Sequence, residues 1–325
     1  MNATRTALTL ALLTLSLVVG KPWHVGHKHR DGRAKALAKD QDSALVSRST
    51  GPSMTFTLQR PQIILFGDSL TERGFSPGGW AAGLAHLYSR KADVVNRGFG
   101  GYNSRWLCQF LGDVFKGVTG ENTLLVTLFL GANDAALPDG PRASAQQHVP
   151  VEEYVSCLKA MVAHVRRLGV QRLLLITPPP VHERGRREWS LQKANVAAPV
   201  DTDWASIPLD RSNAAAGRYT DALVLLAGEL QLPCLNLHQA MQLEPDWQTS
   251  LLCDGLHLSA LGNQFVFEAV RAQLAASFPD VHPAKLPLHL PAWDQLATYP
   301  AAELAIVLAD MREQGERAAG TLVPP

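Results

Sequence analysis

Short runs of hydrophobic residues recur along the chain from residue 61 onward, separated by longer stretches with helical periodicity. Each short run is continuous rather than alternating, which is typical of strands covered on both faces of a parallel sheet. Glycine, proline or polar residues bound the runs, as expected at strand ends. The pattern predicts strands at residues 62–66, 93–96, 123–130, 172–177 and 232–237.

Between the predicted strands, apolar residues recur at steps of three and four, the spacing of an amphipathic helix. The clearest example spans residues 151–168, and similar spacing predicts helices at 211–230 and 304–311. Ser259 is a candidate N-cap of a further helix that continues to about residue 276. Alternating strands and helices with right-handed crossovers predict an α/β fold with three layers and a doubly wound parallel sheet.

Beyond residue 61 the sequence shows no internal repeat and no composition shift that would mark a domain boundary. We therefore expect one catalytic domain over residues 61–283. A C-terminal extension with a helix, over residues 284–325, is expected to pack on this domain or to trail it. The 46% hydrophobic content is sufficient for a sizeable core.

The N-terminal sixty residues differ in character. Residues 7–19 are an apolar run too short to span a membrane. Residues 1–20 are consistent with a signal peptide, and equally with an N-terminal extension that has no targeting role. Residues 21–60 are polar and basic and predict a disordered linker. We expect a secretory or extracellular location if the signal peptide is cleaved, and a cytoplasmic location otherwise.

Charge, cysteine and histidine content narrow the function classes. A net charge of +1 gives no electrostatic reason to expect nucleic acid or an acidic membrane as a partner. The four cysteines form no CxxC pair, which argues against a zinc ribbon or a disulfide framework and leaves a single bridge open. Three linker histidines have no carboxylate or cysteine cage around them: His24, His27 and His29.

Chemically useful residues follow the predicted strands, at the edge where open parallel sheets bind ligands. Ser69 follows the first strand within GDSL, and Gly98 follows the second within NRGFGG. Asn133 follows the third strand, and Asp254 and His257 follow the fifth within DGLH. Since the carboxyl ends of parallel strands share one edge of the sheet, we expect these residues to form one site.

This set of residues fits acyl transfer from an ester. A serine hydroxyl is a weak nucleophile until a base accepts its proton, and the ordinary pKa of histidine, about 6.5, suits that role. Asp254 lies three residues before His257, close enough to fix the imidazole tautomer. The backbone amides of Ser69 and Gly98 and the side-chain amide of Asn133 are candidate donors to the developing oxyanion.

Each residue also has an ordinary structural interpretation. Ser69 could cap a helix, and Asn133 could brace its own loop. Gly98 could merely turn the chain, and this is the favoured interpretation for Gly100 and Gly101. The combination, in this order and with each member at a predicted strand end, favours the catalytic interpretation.

The sequence resembles the SGNH hydrolases, also called GDSL esterases and lipases, and is most similar to their isoamyl acetate-hydrolysing esterase branch. The resemblance extends from about residue 62 to residue 278. The segments that carry it are FGDSLTERGF (66–75), ADVVNRGFGGYNSRW (92–106), LFLGANDAALP (128–138), QHVPVEEY (147–154), ITPPPV (176–181) and DGLHLSALGNQFVFE (254–268).

This resemblance implies a flavodoxin-like three-layer α/β/α sandwich with a five-stranded parallel sheet. It also implies a small-molecule acetate-type ester as substrate and no metal or organic cofactor. Ser69 would be the nucleophile, with Asp254 and His257 as its activating pair. Ser69, Gly98 and Asn133 would form the oxyanion hole.

Two other functions remain open at this level. A carbohydrate or cell-wall acetyl esterase would use the same chemistry; Trp189 and Trp204, in a predicted variable loop at 183–204, are the basis for considering it. A non-enzymatic binding module could hold an anion at the Gly98 loop, but such a module has no need of the DxxH segment. The lack of GxSxG around Ser69 argues against the α/β-hydrolase fold. No long apolar lid segment is evident, which favours short acyl groups.

Overall fold

The computed structural model describes residues 56–198, 200–298 and 300–320. The predicted signal peptide, most of the predicted linker and its three histidines (His24, His27 and His29) lie outside the described residues.

The strands of the described residues form two sheets. They are β1 (Phe56–Thr57), β2 (Gln62–Gly67), β3 (Asp93–Gly98), β4 (Thr123–Phe129), β5 (Leu173–Ile176), β6 (Cys234–Leu235) and β7 (Leu288–His289). The main sheet has five strands in the order β3-β2-β4-β5-β6, and every neighbouring pair is parallel. This confirms the predicted fold class, a three-layer α/β/α arrangement with a five-stranded parallel sheet.

Helices flank the sheet and connect its strands. They are α1 (Ser69–Glu72), α2 (Trp80–Leu87), α3 (Ser104–Cys108), α4 (Leu111–Val114), α5 (Arg142–Ala145), α6 (Val151–Arg167), α7 (Glu183–Lys193), α8 (Asn213–Leu230), α9 (Leu237–Gln242), α10 (Trp247–Ser250), α11 (Ala260–Ser277), α12 (Trp293–Thr298) and α13 (Ala301–Gly320). The four helices predicted from periodicity correspond to α6, α8, α11 and α13. Ser259 caps α11 as predicted, because its Oγ accepts a hydrogen bond from the Gly262 amide at 3.0 Å.

The core lies on both faces of the sheet, as the continuous hydrophobicity of the strands predicted. On β2, Ile63 and Leu65 belong to one apolar cluster, which also contains residues of α2 and α11. Ile64 and Phe66 belong to a second cluster, which contains residues of α6 and α8. All four side chains are fully buried. The alternation shows that β2 is an interior strand of the sandwich, covered by apolar side chains on both faces.

Three features differ from the sequence-based expectations or were missed. The predicted loop at 183–204 begins with helix α7, so that prediction was wrong for its first half. The fifth predicted strand is shortened to two residues, because Asn236 accepts from the Gln239 amide at 3.0 Å and starts α9. Strand β1 pairs in parallel with β7, a contact that no periodicity indicated. Among the described residues, no helix has the length and apolar character needed to cross a membrane.

Candidate active site

Ser69 lies just beyond the carboxyl end of β2, an interior strand of the sheet, where the chain turns into α1. Asp68 caps this helix, since its Oδ1 accepts a hydrogen bond from the Leu70 amide at 2.9 Å. A Cβ atom added to Gly98 would lie only 2.0 Å from the Glu72 backbone nitrogen. The end of β3 therefore packs directly against α1, and only glycine permits that approach. This contact fixes the turn that presents the Ser69 hydroxyl.

His257 and Asp254 reach Ser69 from the loop that precedes α11. His257 Nε2 lies 3.0 Å from Ser69 Oγ, across 188 positions of sequence. On the other side of the ring, His257 Nδ1 lies 2.7 Å from Asp254 Oδ2. The second carboxylate oxygen, Asp254 Oδ1, accepts hydrogen bonds from the backbone amides of Leu256 at 3.0 Å and His257 at 2.8 Å. The loop thus holds the carboxylate and the imidazole in one fixed arrangement.

The ionisation of Asp254 determines which nitrogen of His257 carries the proton. Burial raises the pKa of Asp254, but hydrogen bonds from His257 and the nearby Arg186 guanidinium outweigh burial and hold that pKa well below its usual range. An ionised carboxylate can only accept hydrogen bonds, so Nδ1 is the protonated nitrogen. Nε2, which faces Ser69, is left with a free lone pair. A base directed at a hydroxyl is the arrangement that activates a serine nucleophile.

The predicted oxyanion donors differ in their availability. Asn133 is buried, and its Nδ2 donates to the Tyr102 carbonyl at 2.8 Å, which leaves one of the two amide hydrogens for a ligand. The Gly98 amide has a single hydrogen and already donates it to Asn96 Oδ1 at 2.8 Å. In this structure Gly98 is therefore a packing residue behind α1, and the role of its amide as an oxyanion donor is not supported.

A second glycine in the same loop offers the amide that Gly98 does not. Gly101 has a φ of +80°, in the left-handed region that favours glycine. Within the described part of the chain, no acceptor contacts the amide of Gly101 or that of Ser69. The sequence analysis favoured a simple turn for Gly101. The paired glycines of GFGGYN were the feature from which a second candidate amide could have been recognised.

A buried ion cluster that the sequence did not indicate lies beside the site. Asp210 accepts from Arg186 Nε at 3.1 Å and from Arg186 Nη2 at 2.6 Å, and Arg211 Nη1 lies 3.1 Å from the same carboxylate. Arg186 Nη1 lies 3.5 Å from Asp254 Oδ2. The side chains of Asp210, Arg186 and Arg211 are at most 10% exposed. Burial raises the pKa of Asp210, but the two guanidinium groups lower it further than burial raises it, so the carboxylate remains ionised.

Two further carboxyl groups are buried next to the site without such partners. Burial raises the pKa of Asp68 to about 7 and that of Asp134 to about 6. Asp134 Oδ1 accepts hydrogen bonds from the Ser104 amide at 3.0 Å and the Ser104 hydroxyl at 2.5 Å. The other oxygen, Oδ2, has no hydrogen-bond partner among the described residues in either carboxyl group. These groups brace the loops that follow β2 and β4.

The residues that suggested a glycan site are engaged within the protein. Trp189 has the Arg186 guanidinium 4.2 Å from its ring centroid, and Trp204 has that of Arg184 at 5.0 Å.

A separate cavity of about 360 Å³ is lined mainly by apolar and aromatic side chains, including those of Phe99 and Tyr102. All four cysteines lie among the described residues and are free thiols: Cys108, Cys157, Cys234 and Cys253.

Comparisons with known proteins point to one family. Residues 65–265 match the model of the GDSL-like Lipase/Acylhydrolase family. A GDSL esterase/lipase of Arabidopsis thaliana is 42% identical over 233 residues, which cover 71% of this chain and 92% of that protein. An isoamyl acetate-hydrolyzing esterase 1 homolog of Bos taurus is 38% identical over 240 residues, covering 73% and 88%. The crystal structure of a lipase/acylhydrolase from Enterococcus faecalis shares the fold, with a TM-score of 0.51 and 22% identity, over 66% of this chain and 96% of that one.

The chain belongs to the GDSL-like lipase/acylhydrolase family, the SGNH hydrolases. It is a carboxylic ester hydrolase, and its similarity to isoamyl acetate-hydrolyzing esterase homologs agrees with the resemblance seen in the sequence. The alternative of a non-enzymatic binding module is therefore set aside.

Proposed function

We propose that this protein hydrolyses short-chain, acetate-type esters through a Ser69–His257–Asp254 triad. The observation that carries the proposal is the continuous hydrogen-bonded chain from Ser69 Oγ through the imidazole to Asp254, with distances of 3.0 and 2.7 Å. The ionised state of Asp254 supports it, because that charge orients the base and stabilises the imidazolium formed during the reaction.

In the acylation step, Ser69 Oγ attacks the ester carbonyl carbon while its proton moves to His257 Nε2. The carbonyl oxygen becomes an oxyanion. The imidazolium then gives its proton to the departing alcohol oxygen as the carbon–oxygen bond breaks, which leaves an acyl group on Ser69. In deacylation, His257 takes a proton from water while the water oxygen attacks the acyl carbon. The imidazolium then returns a proton to Ser69 Oγ as the bond between the acyl carbon and Oγ breaks, which releases the acid and restores the free serine and the neutral imidazole.

We assign the oxyanion donors to the Ser69 amide, the Gly101 amide and Asn133 Nδ2. The first two have no acceptor within the described residues, and Asn133 retains one amide hydrogen. Gly101 replaces the predicted Gly98, whose hydrogen is held by Asn96. Donors fixed in advance by the fold stabilise the charge of the transition state without reorganisation at the moment of reaction.

The acetate preference is supported by similarity to an isoamyl acetate-hydrolyzing esterase homolog that shares 38% identity with this chain. A panel of p-nitrophenyl acetate, butyrate and octanoate, together with acetylated sugars, tests it with wild type and Ser69→Ala. We expect the highest kcat/KM with acetate and loss of at least about three orders of magnitude in Ser69→Ala. Faster hydrolysis of octanoate would contradict the short-chain assignment. Preference for acetylated sugars over simple acetate esters would favour the carbohydrate esterase instead.

A further inference from the structure

Arg211 lies at the start of the connection into α8, and its guanidinium group is directed into the loop that follows β4. The side chain is 3% exposed. Its Nε donates to the Ala132 carbonyl at 2.7 Å, and its Nη2 donates to Asn133 Oδ1 at 3.0 Å. The backbone contributes as well, since Arg211 forms an antiparallel bridge with Ala136. The guanidinium is therefore held against the carboxamide proposed to stabilise the oxyanion.

The contact with Asn133 has a chemical consequence, because a carboxamide has two different ends. A guanidinium group only donates hydrogen bonds, so the atom of Asn133 that faces Arg211 must be the oxygen. The nitrogen is then directed the other way, toward the Tyr102 carbonyl that accepts from it at 2.8 Å. Without Arg211, the carboxamide could rotate and present its oxygen, a repulsive group, to the oxyanion.

The same guanidinium group also reaches the loop of the second proposed donor. Arg211 Nη2 donates to Gln147 Oε1 at 2.6 Å, and Gln147 Nε2 donates to the Gly101 carbonyl at 2.8 Å. A Cβ added to Gly101 would lie 3.5 Å from that Gln147 nitrogen. One arginine thus contacts Asn133 directly and supports Gly101 through a single side chain.

Asp210 accounts for the presence of a cation at this buried position. Its carboxylate pairs with Arg211 Nη1 at 3.1 Å and with two nitrogens of Arg186. A buried cation without such a partner would be costly. Because Arg186 also contacts Asp254, the cluster joins the part of the site that holds the base to the part that holds the oxyanion donors.

We propose that Arg211 is a positioning residue of the oxyanion hole: by holding Asn133 Oδ1 and Gln147 Oε1, it directs the Asn133 amide nitrogen and the Gly101 loop toward the ester carbonyl oxygen. This inference rests on the proposed function, in which Asn133 is an oxyanion donor. Arg211 itself touches no reacting atom in this scheme. The part of its effect that acts through Asn133 should therefore disappear when the Asn133 carboxamide is absent, and only a small effect through Gln147 and the Gly101 loop should remain.

A double-mutant cycle tests this directly. kcat and KM for p-nitrophenyl acetate are measured for wild type, Asn133→Ala, Arg211→Met and the double variant. Asn133→Ala should lower kcat about 100- to 1000-fold, as for other oxyanion donors. Arg211→Met should lower kcat about 10- to 100-fold with little change in KM, and should cause less than about threefold further loss in the Asn133→Ala background.

Two results would overturn the inference, and they are distinguishable. If Asn133→Ala is defective but Arg211→Met lowers kcat equally in both backgrounds, Arg211 does not act through Asn133, while the proposed function stands. If Asn133→Ala retains wild-type kcat, Asn133 is not an oxyanion donor, and the inference that Arg211 acts by positioning it fails together with that assignment.

Arg211→Lys is the second variant, because loss of a buried charge in Arg211→Met can prevent folding. Lysine keeps the charge beside Asp210 but cannot place donors on Ala132, Asn133 and Gln147 at the same time. The same non-additive loss of kcat is expected, and full activity of folded Arg211→Lys would contradict the proposal. Arg60→Met is the control for the loss of a paired arginine away from the site, since Arg60 pairs with Asp93 at 2.8 Å at the opposite, amino-terminal edge of the sheet. It should leave kcat unchanged.

Discussion

Asp254 Oδ2 lies 2.7 Å from His257 Nδ1, and the same carboxylate accepts the His257 backbone amide through its other oxygen at 2.8 Å. The short DGLH segment therefore fixes the Asp254 carboxylate against the imidazole of its own His257. Gly255, with a φ of +78°, allows the tight turn that brings the two side chains together. This relationship makes the tautomer of His257 a property of local structure, and it leads to two predictions.

Asp254→Asn should lower kcat severely while preserving the fold. Asparagine can retain the backbone hydrogen bonds through its oxygen, but it can present an N–H to Nδ1 and so stabilise the wrong imidazole tautomer. A loss of up to about ten-thousand-fold is expected by analogy with serine proteases. Steady-state kinetics with p-nitrophenyl acetate, on protein with an unchanged circular dichroism spectrum, measure it. Near-normal turnover would show that another group orients His257.

The value of kcat/KM should rise as the pH increases. The pKa of Asp254 is held well below its usual range, so this carboxylate stays ionised across the working range. The base that faces Ser69 Oγ must be unprotonated to accept the hydroxyl proton, so activity increases with pH. The measurement is a rate profile from pH 5 to pH 9 for wild type and His257→Ala. If His257→Ala kept both the activity and its increase with pH, a different residue would be the base.

Much of this geometry could be predicted from the sequence, because it depends on local patterns. Continuous apolar runs predicted the strands, and residues at the strand ends predicted which side chains meet. Gly98 was chosen over Gly101 because a sequence cannot show that the Asn96 side chain takes the Gly98 amide hydrogen. The pairing of Arg186 with Asp210 was missed for a related reason: nothing in the spacing of two residues 24 positions apart predicts a buried ion pair.

Gly98 and Gly101 should respond differently to alanine. At Gly98 the new Cβ would lie 2.0 Å from the Glu72 backbone nitrogen, so Gly98→Ala should lower the thermal midpoint strongly. At Gly101 the nearest atom is 3.5 Å away, and the cost is mainly the positive φ, about 1–2 kcal/mol. Gly101→Ala should therefore remain folded but lose kcat through a displaced amide. Thermal denaturation and kinetics of both variants test this; a fully active Gly101→Ala would argue against its amide as a donor.

Asp68 should make the protein less stable as the pH rises from 4 to 7. Its folded-state pKa of about 7 lies above the ordinary value of 3.8, so in this range the unfolded chain ionises first and is favoured. The lost stability approaches about 4 kcal/mol at pH 7 and then levels off. In Asp68→Asn, Oδ1 can still accept from the Leu70 amide, but the titrating group is absent. The difference in unfolding free energy between Asp68→Asn and wild type should grow with pH, and a constant difference would contradict the prediction.

The most direct test of the account is reaction with a serine-reactive phosphonate ester, followed by intact-mass measurement and peptide mapping. Phosphorus is attacked by the activated hydroxyl, so labelling reports the nucleophile without assuming a substrate. We predict one adduct per chain, located at Ser69, which is absent in Ser69→Ala and in protein denatured before labelling. His257→Ala should label at a strongly reduced rate. A folded wild-type protein that does not react, or a Ser69→Ala variant that labels equally well, would contradict the assignment of Ser69 as the nucleophile.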